Sequence, residues 1–140
     1  MKKVRVGIVG LGRWARVLTR ACTLSEKVEI VVGFSRSPET RDNFSAETGI
    51  SVVSTLKELL ARDDIEGVIL TVPNEQHYPV ALQVAKAGKH VYTEKPIAHN
   101  LEDGLAIEKL QKEYGVTVTV GHSARLVCGV QEIKKLILNG

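Results

Sequence analysis

The chain opens on a mainly apolar run, Val4 to Val9, held between Lys3 and Gly10. A run this short predicts a strand buried on both faces, as in a parallel sheet. From Trp14 to Leu24 the period changes, and Ala15, Leu18 and Cys22 fall on one helical stripe. β-Branched residues return over Val28 to Phe34 and predict a second strand. Ser37-Pro38-Glu39 then opens a helix, with proline in its first turn and Gly49 at its close. Ser51 to Val53 reads as a short strand, and Thr55-Leu56-Lys57-Glu58 carries the Thr and Glu of a capping box.

The second half repeats the alternation. Gly67 to Val72 is a strongly apolar strand, Glu75 to Ala87 a helix closed by Gly88, and His90 to Thr93 a fifth strand. Asn100 caps a helix over Leu101 to Tyr114, and Val116 to Gly121 alternates valine and threonine as a sixth strand. A final helix, Leu126 to Leu138, places Val130, Ile133 and Ile137 on one stripe. Regular strand–helix alternation predicts an α/β fold of the doubly wound Rossmann type: a mainly parallel six-stranded sheet with helices on both faces. The expected strand order is 3-2-1-4-5-6, with a ligand crevice at the carboxyl ends of strands one and four, where the order reverses.

Length and composition agree with one domain over residues 1–140: 44% of the residues are hydrophobic, enough for a single core. The net charge of +3 is spread along the chain without a basic run or interleaved aromatics, which argues against a nucleic-acid surface. Cys22 and Cys128 lie far apart, each in a predicted apolar helix, and are expected to be reduced core thiols. Arg5 and the glycines interrupt the apolar stretch after Met1-Lys2-Lys3, so it reads as a strand and not a signal peptide. No run is long enough to span a bilayer, and a cytoplasmic location is expected.

Candidate chemistry begins at Gly10-Leu11-Gly12-Arg13-Trp14-Ala15, between the first strand and the first helix. Gly10 permits a sharp turn, Gly12 lets main chain approach a pyrophosphate, and Ala15 keeps helix and sheet close. The helix N-terminus then offers free N–H groups to phosphate. Folds that bind S-adenosylmethionine share such a turn, so the end of the second strand has to discriminate. Ser35-Arg36-Ser37 stands where NAD binders place a carboxylate for the ribose hydroxyls. A hydroxyl and a guanidinium suit a 2′-phosphate, which favours NADP over NAD; the plainer reading of Arg36 is a solvated turn arginine. Arg13 and Arg41 either assist or are ordinary surface charges.

Two further loops complete the pattern: Thr71-Val72-Pro73-Asn74-Glu75-Gln76-His77 after strand four, and Glu94-Lys95-Pro96 after strand five, the latter preceded by Gly88-Lys89-His90-Val91. Together with the glycine turn and with Gly121 followed by Arg125, they make the whole chain resemble the nucleotide-binding domain of the Gfo/Idh/MocA oxidoreductases. The resemblance implies that Lys95 contacts substrate oxygen and the nicotinamide region as a catalytic group, that Glu94 borders the nicotinamide, and that a cis peptide precedes Pro96. It also implies cofactor contacts from Gly10, Gly12, Arg13, Trp14, Ser35, Arg36, Thr71, Pro73, Asn74, His77 near the nicotinamide ribose, and Arg125. Ser123 departs from the family's asparagine, and the role of His122 stays open. A lysine at that strand end serves as a proton relay or an electrostatic clamp if burial tunes it. His90 and His99 lack metal-ligand spacing, so no metal is expected.

The resemblance implies a second, substrate-binding domain after the final helix, which residues 1–140 are expected not to include. Two functions follow: the nucleotide-binding half of an NADP(H)-preferring oxidoreductase acting on a sugar, cyclitol or similar hydroxyl or carbonyl substrate, or a noncatalytic NADP-binding regulatory or subunit module. Leu126, Val127, Val130 and Leu136 are expected to stay uncovered and to drive self-association.

Overall fold

Six parallel strands lie in the order β3-β2-β1-β4-β5-β6 in the computed structural model, which describes residues 2–139. In chain order the elements are β1 (Val4–Val9), α1 (Arg13–Thr23), β2 (Val28–Phe34), α2 (Pro38–Thr48), β3 (Ser51–Val53), α3 (Leu56–Leu60), β4 (Gly67–Leu70), α4 (His77–Lys86), β5 (His90–Thr93), α5 (Leu101–Tyr114), β6 (Val118–Val120) and α6 (Cys128–Asn139). Single 3₁₀ turns over Asn74–Gln76 and Ser123–Leu126 precede α4 and α6.

Local chemistry sets the helix ends as the sequence predicts. Ser37 Oγ accepts from the N–H of Thr40 at 3.2 Å, Thr55 Oγ1 from Glu58 at 3.1 Å, and Asn100 Oδ1 from Asp103 at 2.8 Å. The capping box is offset by one residue, because the Glu58 carboxylate accepts from the N–H of Ser54 at 3.0 Å. Gly49, Gly88 and Gly115 end their helices with positive φ.

Successive residues of β1 feed two cores. Val6 and Ile8 face α1 and α2 with Ile30, Phe44 and Ile69, whereas Val9 faces the other layer with Val68, Leu70, Val84, Ile107 and Leu110. From Val6 to Val9 β1 is therefore buried on both faces, as its apolar run predicts, while Val4 at its start is exposed.

Several expectations are corrected. β4 ends at Leu70 and not at Val72, because the Thr71 N–H donates to Val9 O while its hydroxyl turns to the main chain of Gly10. The α-helix expected from Glu75 begins only at His77, after the 3₁₀ turn that follows Pro73. β6 shortens to Val118–Val120. Cys128 is exposed and is not a core thiol, because α6 packs chiefly against the 3₁₀ turn before it; Cys22 is half-buried, and burial pushes its thiol pKa up. The α6 stripe of Val130, Ile133 and Ile137 is likewise exposed.

Gly10 has φ +93°, and a Cβ there would sit 2.8 Å from the main chain of Thr71. Gly10→Ala therefore combines left-handed strain with a backbone overlap, and should destabilise the chain by at least about 2 kcal/mol in urea denaturation.

Candidate functional site

The end of β1 is tied on both sides. The Gly10 N–H donates to Phe34 O of β2 at 2.9 Å, and Val9 O accepts from the Thr71 N–H beyond β4, also at 2.9 Å. Thr71 Oγ1 donates to Gly10 O at 2.5 Å, with Val9 O at 3.2 Å. Thr71 thus supports the glycine turn from below. The turn sits where strand order reverses, the place at which open α/β sheets bind ligands.

Gly12 differs from Gly10. A Cβ at Gly12 would meet no atom within 4 Å, so nothing inside the chain demands a glycine there. What such a Cβ would obstruct is the space above the turn, the position a pyrophosphate takes on a helix N-terminus. Gly12 is also the N-cap of α1 with no side-chain cap, leaving the first N–H groups of the helix free of a capping side chain. The turn therefore fits a dinucleotide phosphate, and Gly10 and Gly12 would hold it.

Two hollows flank this turn. One, about 320 Å³, is lined by Gly10, Ser35, Arg36, Leu56, Val72, Pro73 and Gln76, among others. The other, about 340 Å³, is lined by Arg13, Trp14, Thr71, Val72, Asn74, His77, Glu94 and Lys95. Both reach the lower bound of small-molecule sites, and Val72 borders both. A ligand with two ring systems joined by a pyrophosphate matches this arrangement. Arg125 lies elsewhere, in a depression along β6 with His122, Ser123 and Leu126.

The first hollow has apolar walls suited to a flat base and a polar rim at Ser35 and Arg36. Arg36 is exposed. Arg41 lies behind the turn, where its Nη1 donates to Ser35 O at 2.7 Å and to Arg36 O at 3.1 Å. Leu56 and Gln76 escaped the sequence reading, because each looked complete as part of a helix-start signal.

In the second hollow Trp14 is 44% exposed and presents an open ring. Lys95 is exposed too, so the residues described do not supply the burial invoked for it. The Lys95–Pro96 peptide is cis, as the resemblance implied. Glu94 is oriented by two long contacts, Oε1 accepting from Tyr92 Oη at 3.4 Å and Oε2 from the Lys95 N–H at 3.3 Å. Burial, reinforced by the Glu94 carboxylate, pushes the Tyr92 phenol pKa up and keeps it a donor. A Cβ at Gly121 would fall 2.5 Å from Tyr92 Oη, so that glycine makes room for the pair.

His77 is 1% exposed. Its Nδ1 lies 2.9 Å from Pro96 O and its Nε2 3.1 Å from Val72 O, so both ring nitrogens meet main-chain carbonyls. The ring pins the Lys95–Pro96 turn to the end of β4. Among the described residues no group of three or more His, Cys, Asp or Glu is placed to hold a metal ion, and no helix is long and apolar enough to cross a membrane.

The fold and the glycine turn define a dinucleotide-binding α/β domain. Residues 4–122 match the family model described as "Oxidoreductase family, NAD-binding Rossmann fold", and the chain belongs to this Gfo/Idh/MocA family. It is 33% identical over 139 residues to the scyllo-inositol 2-dehydrogenase (NADP(+)) of Bacillus subtilis, and 34% identical over 137 residues to the 2,7-anhydro-N-acetylneuraminate hydratase of Escherichia coli. Each match covers 98% of this chain but only 38% and 36% of the respective relative. The WlbA dehydrogenase of Bordetella pertussis, solved with NADH and UDP-GlcNAcA, superimposes with a TM-score of 0.93 at 34% identity, over 99% of this chain and 43% of that one.

Replacing His77 by alanine removes a buried ring and the hydrogen bond that its one N–H donates to a main-chain carbonyl. His77→Ala should lower stability by about 2–4 kcal/mol in chemical denaturation.

Proposed function

We propose that this chain is the nucleotide-binding half of an oxidoreductase that prefers NADP(H) and acts on a sugar, cyclitol or similar hydroxyl or carbonyl substrate. The observation that carries the reading is the pair of hollows joined at a glycine turn whose Gly12 has no internal reason to be glycine. Preference for the 2′-phosphate rests on Ser35 and Arg36, which put a hydroxyl and a free guanidinium where a carboxylate would repel it. Relatives named as dehydrogenases of an inositol and of a sugar nucleotide support the substrate class.

The nicotinamide, when bound, supplies or accepts hydride. Trp14 and Asn74 then shape its seat, Glu94 borders it, and Lys95 holds the substrate oxygen as an electrostatic clamp or proton relay. Arg13 adds positive charge on the same side, and Arg125 serves from the β6 end when a substrate spans both places. The whole reaction belongs to a protein of which this chain spans the part matching about two fifths of its relatives. Free thiols at Cys22 and Cys128 support a reducing, cytoplasmic setting.

The exposed apolar residues Leu126, Val130, Ile133 and Leu136 support association with a second copy. Sedimentation should give a mass above that of one chain at high concentration; a clean monomer removes this part of the reading.

Trp14 is the sole tryptophan, so its fluorescence reports cofactor binding. Titration should give tighter binding of NADP⁺ than of NAD⁺, and Arg36→Ala should cost NADP⁺ about tenfold in affinity while sparing NAD⁺. Equal affinities reject the preference. NADP⁺ binding by this chain, with no turnover of a cyclitol or sugar even when it is joined to a substrate-binding domain of the family, favours a noncatalytic nucleotide-binding module instead.

A further inference from the structure

The two turns proposed to meet phosphate share a device. Behind the Ser35-Arg36 turn, Arg41 Nη1 gathers the carbonyls of Ser35 and Arg36 at 2.7 and 3.1 Å. Behind the glycine turn, Arg16 Nη1 gathers the carbonyls of Leu11 and Gly12 at 2.8 and 3.2 Å. In each case one guanidinium nitrogen holds two successive carbonyls. Neither arginine lines either hollow.

A trans peptide points its N–H opposite to its C=O. Drawing the Leu11 and Gly12 carbonyls toward Arg16 turns the N–H groups of Gly12 and Arg13 away from it. Arg41 does the same for the N–H groups of Arg36 and Ser37. None of these four N–H groups has a main-chain hydrogen-bond partner among the described residues. Successive free N–H groups facing one way form an anion-binding concavity. Two carbonyls pointing at the same place would repel an anion, and each arginine holds such a pair on the far side of its turn.

Arg16 is itself held. Its guanidinium pairs with Glu47 of α2 and lies 5.9 Å from the ring centroid of Phe44. The pairing raises the Arg16 pKa and holds the Glu47 carboxyl below its usual range.

We infer that Arg16 and Arg41 are positioning residues that set the main-chain donors of the two phosphate sites from behind: Arg16 for the pyrophosphate common to both cofactors, Arg41 for the 2′-phosphate that distinguishes NADP. The inference rests on the dinucleotide reading above and deepens it. It separates the two arginines by their effects. Loss of Arg16 weakens every dinucleotide alike, whereas loss of Arg41 changes selectivity.

The test is calorimetric titration of the 140-residue chain with NADP⁺ and NAD⁺, comparing the parent with Arg16→Met, Arg41→Ala, Arg36→Ala and Glu47→Gln. Circular dichroism melting checks that each variant is folded at the titration temperature. Arg41→Ala should weaken NADP⁺ about tenfold and leave NAD⁺ within about twofold, while Arg16→Met should weaken both about tenfold. Glu47→Gln removes the ion pair but leaves the carbonyls gathered, so both affinities should stay within about twofold. If Arg41→Ala weakens both cofactors equally, or neither, the assignment of Arg41 is wrong. The assignment of Arg16 falls if Arg16→Met changes neither affinity, or only one. An Arg36→Ala variant that keeps full NADP⁺ preference while Arg41→Ala loses it refutes the role of the Arg36 side chain and upholds that of Arg41. A parent chain that binds neither cofactor overturns the inference together with the reading beneath it, and one that binds both equally overturns the NADP preference and the assignment of Arg41 while the Arg16→Met titration still decides Arg16.

Discussion

The contact on which the site depends is a backbone-on-backbone approach between Gly10 and Thr71. It joins residues at the ends of β1 and beyond β4, the two central strands, at the place where the sheet reverses its winding. A side chain on Gly10 would pry them apart, and the Thr71 hydroxyl locks the approach by donating to the Gly10 carbonyl. Once that distance is set, the glycine turn, the start of α1 and the loop after β4 have a common origin. The hollows on either side are what remains between them.

Side chains do less of the direct work here than the main chain. The two turns present main-chain N–H groups on one side while Arg16 and Arg41 hold their carbonyls on the other, and Arg36 stands at the rim of one hollow. His77 plays a similar part at the other end, tying Val72 and Pro96 with the two nitrogens of one buried ring. A buried or half-buried donor that meets a main-chain carbonyl holds a loop in place at small cost, because that donor and that acceptor are not left unpaired. Exposed groups such as Trp14 and Lys95 remain free for a ligand.

Much of this was legible in the sequence because its strongest signals are local. β1, β2, β3, β5 and α5 match their expected bounds, since apolar runs, caps and terminal glycines are written in adjacent residues. The strand order and the crevice followed from alternation and handedness. The inexact ends lie where tertiary contacts override the local signal, as at Thr71, whose hydroxyl leaves the strand for the glycine turn. Cys128 was misplaced because an amphipathic pattern reveals that a helix has an apolar side but not that anything lies against it. The carbonyl-gathering arginines were invisible as such. A charged residue on a helix gives no local sign of which carbonyl it will find, and Arg41 could be noted only as a nearby positive charge.

The pairing of β1 with both β2 and β4 also dictates an order of events as the chain is made. Val6 can meet Ile30 early, but its partner on the other edge, Gly67, is synthesised only after β3 and α3 have passed. Until then β1 is an open edge, and the glycine turn lacks the Thr71 main chain that closes it. The final shape of the glycine turn therefore arrives late during synthesis, when the fourth strand docks. A nascent chain cut short before that point carries the whole glycine motif without the contact that closes its turn.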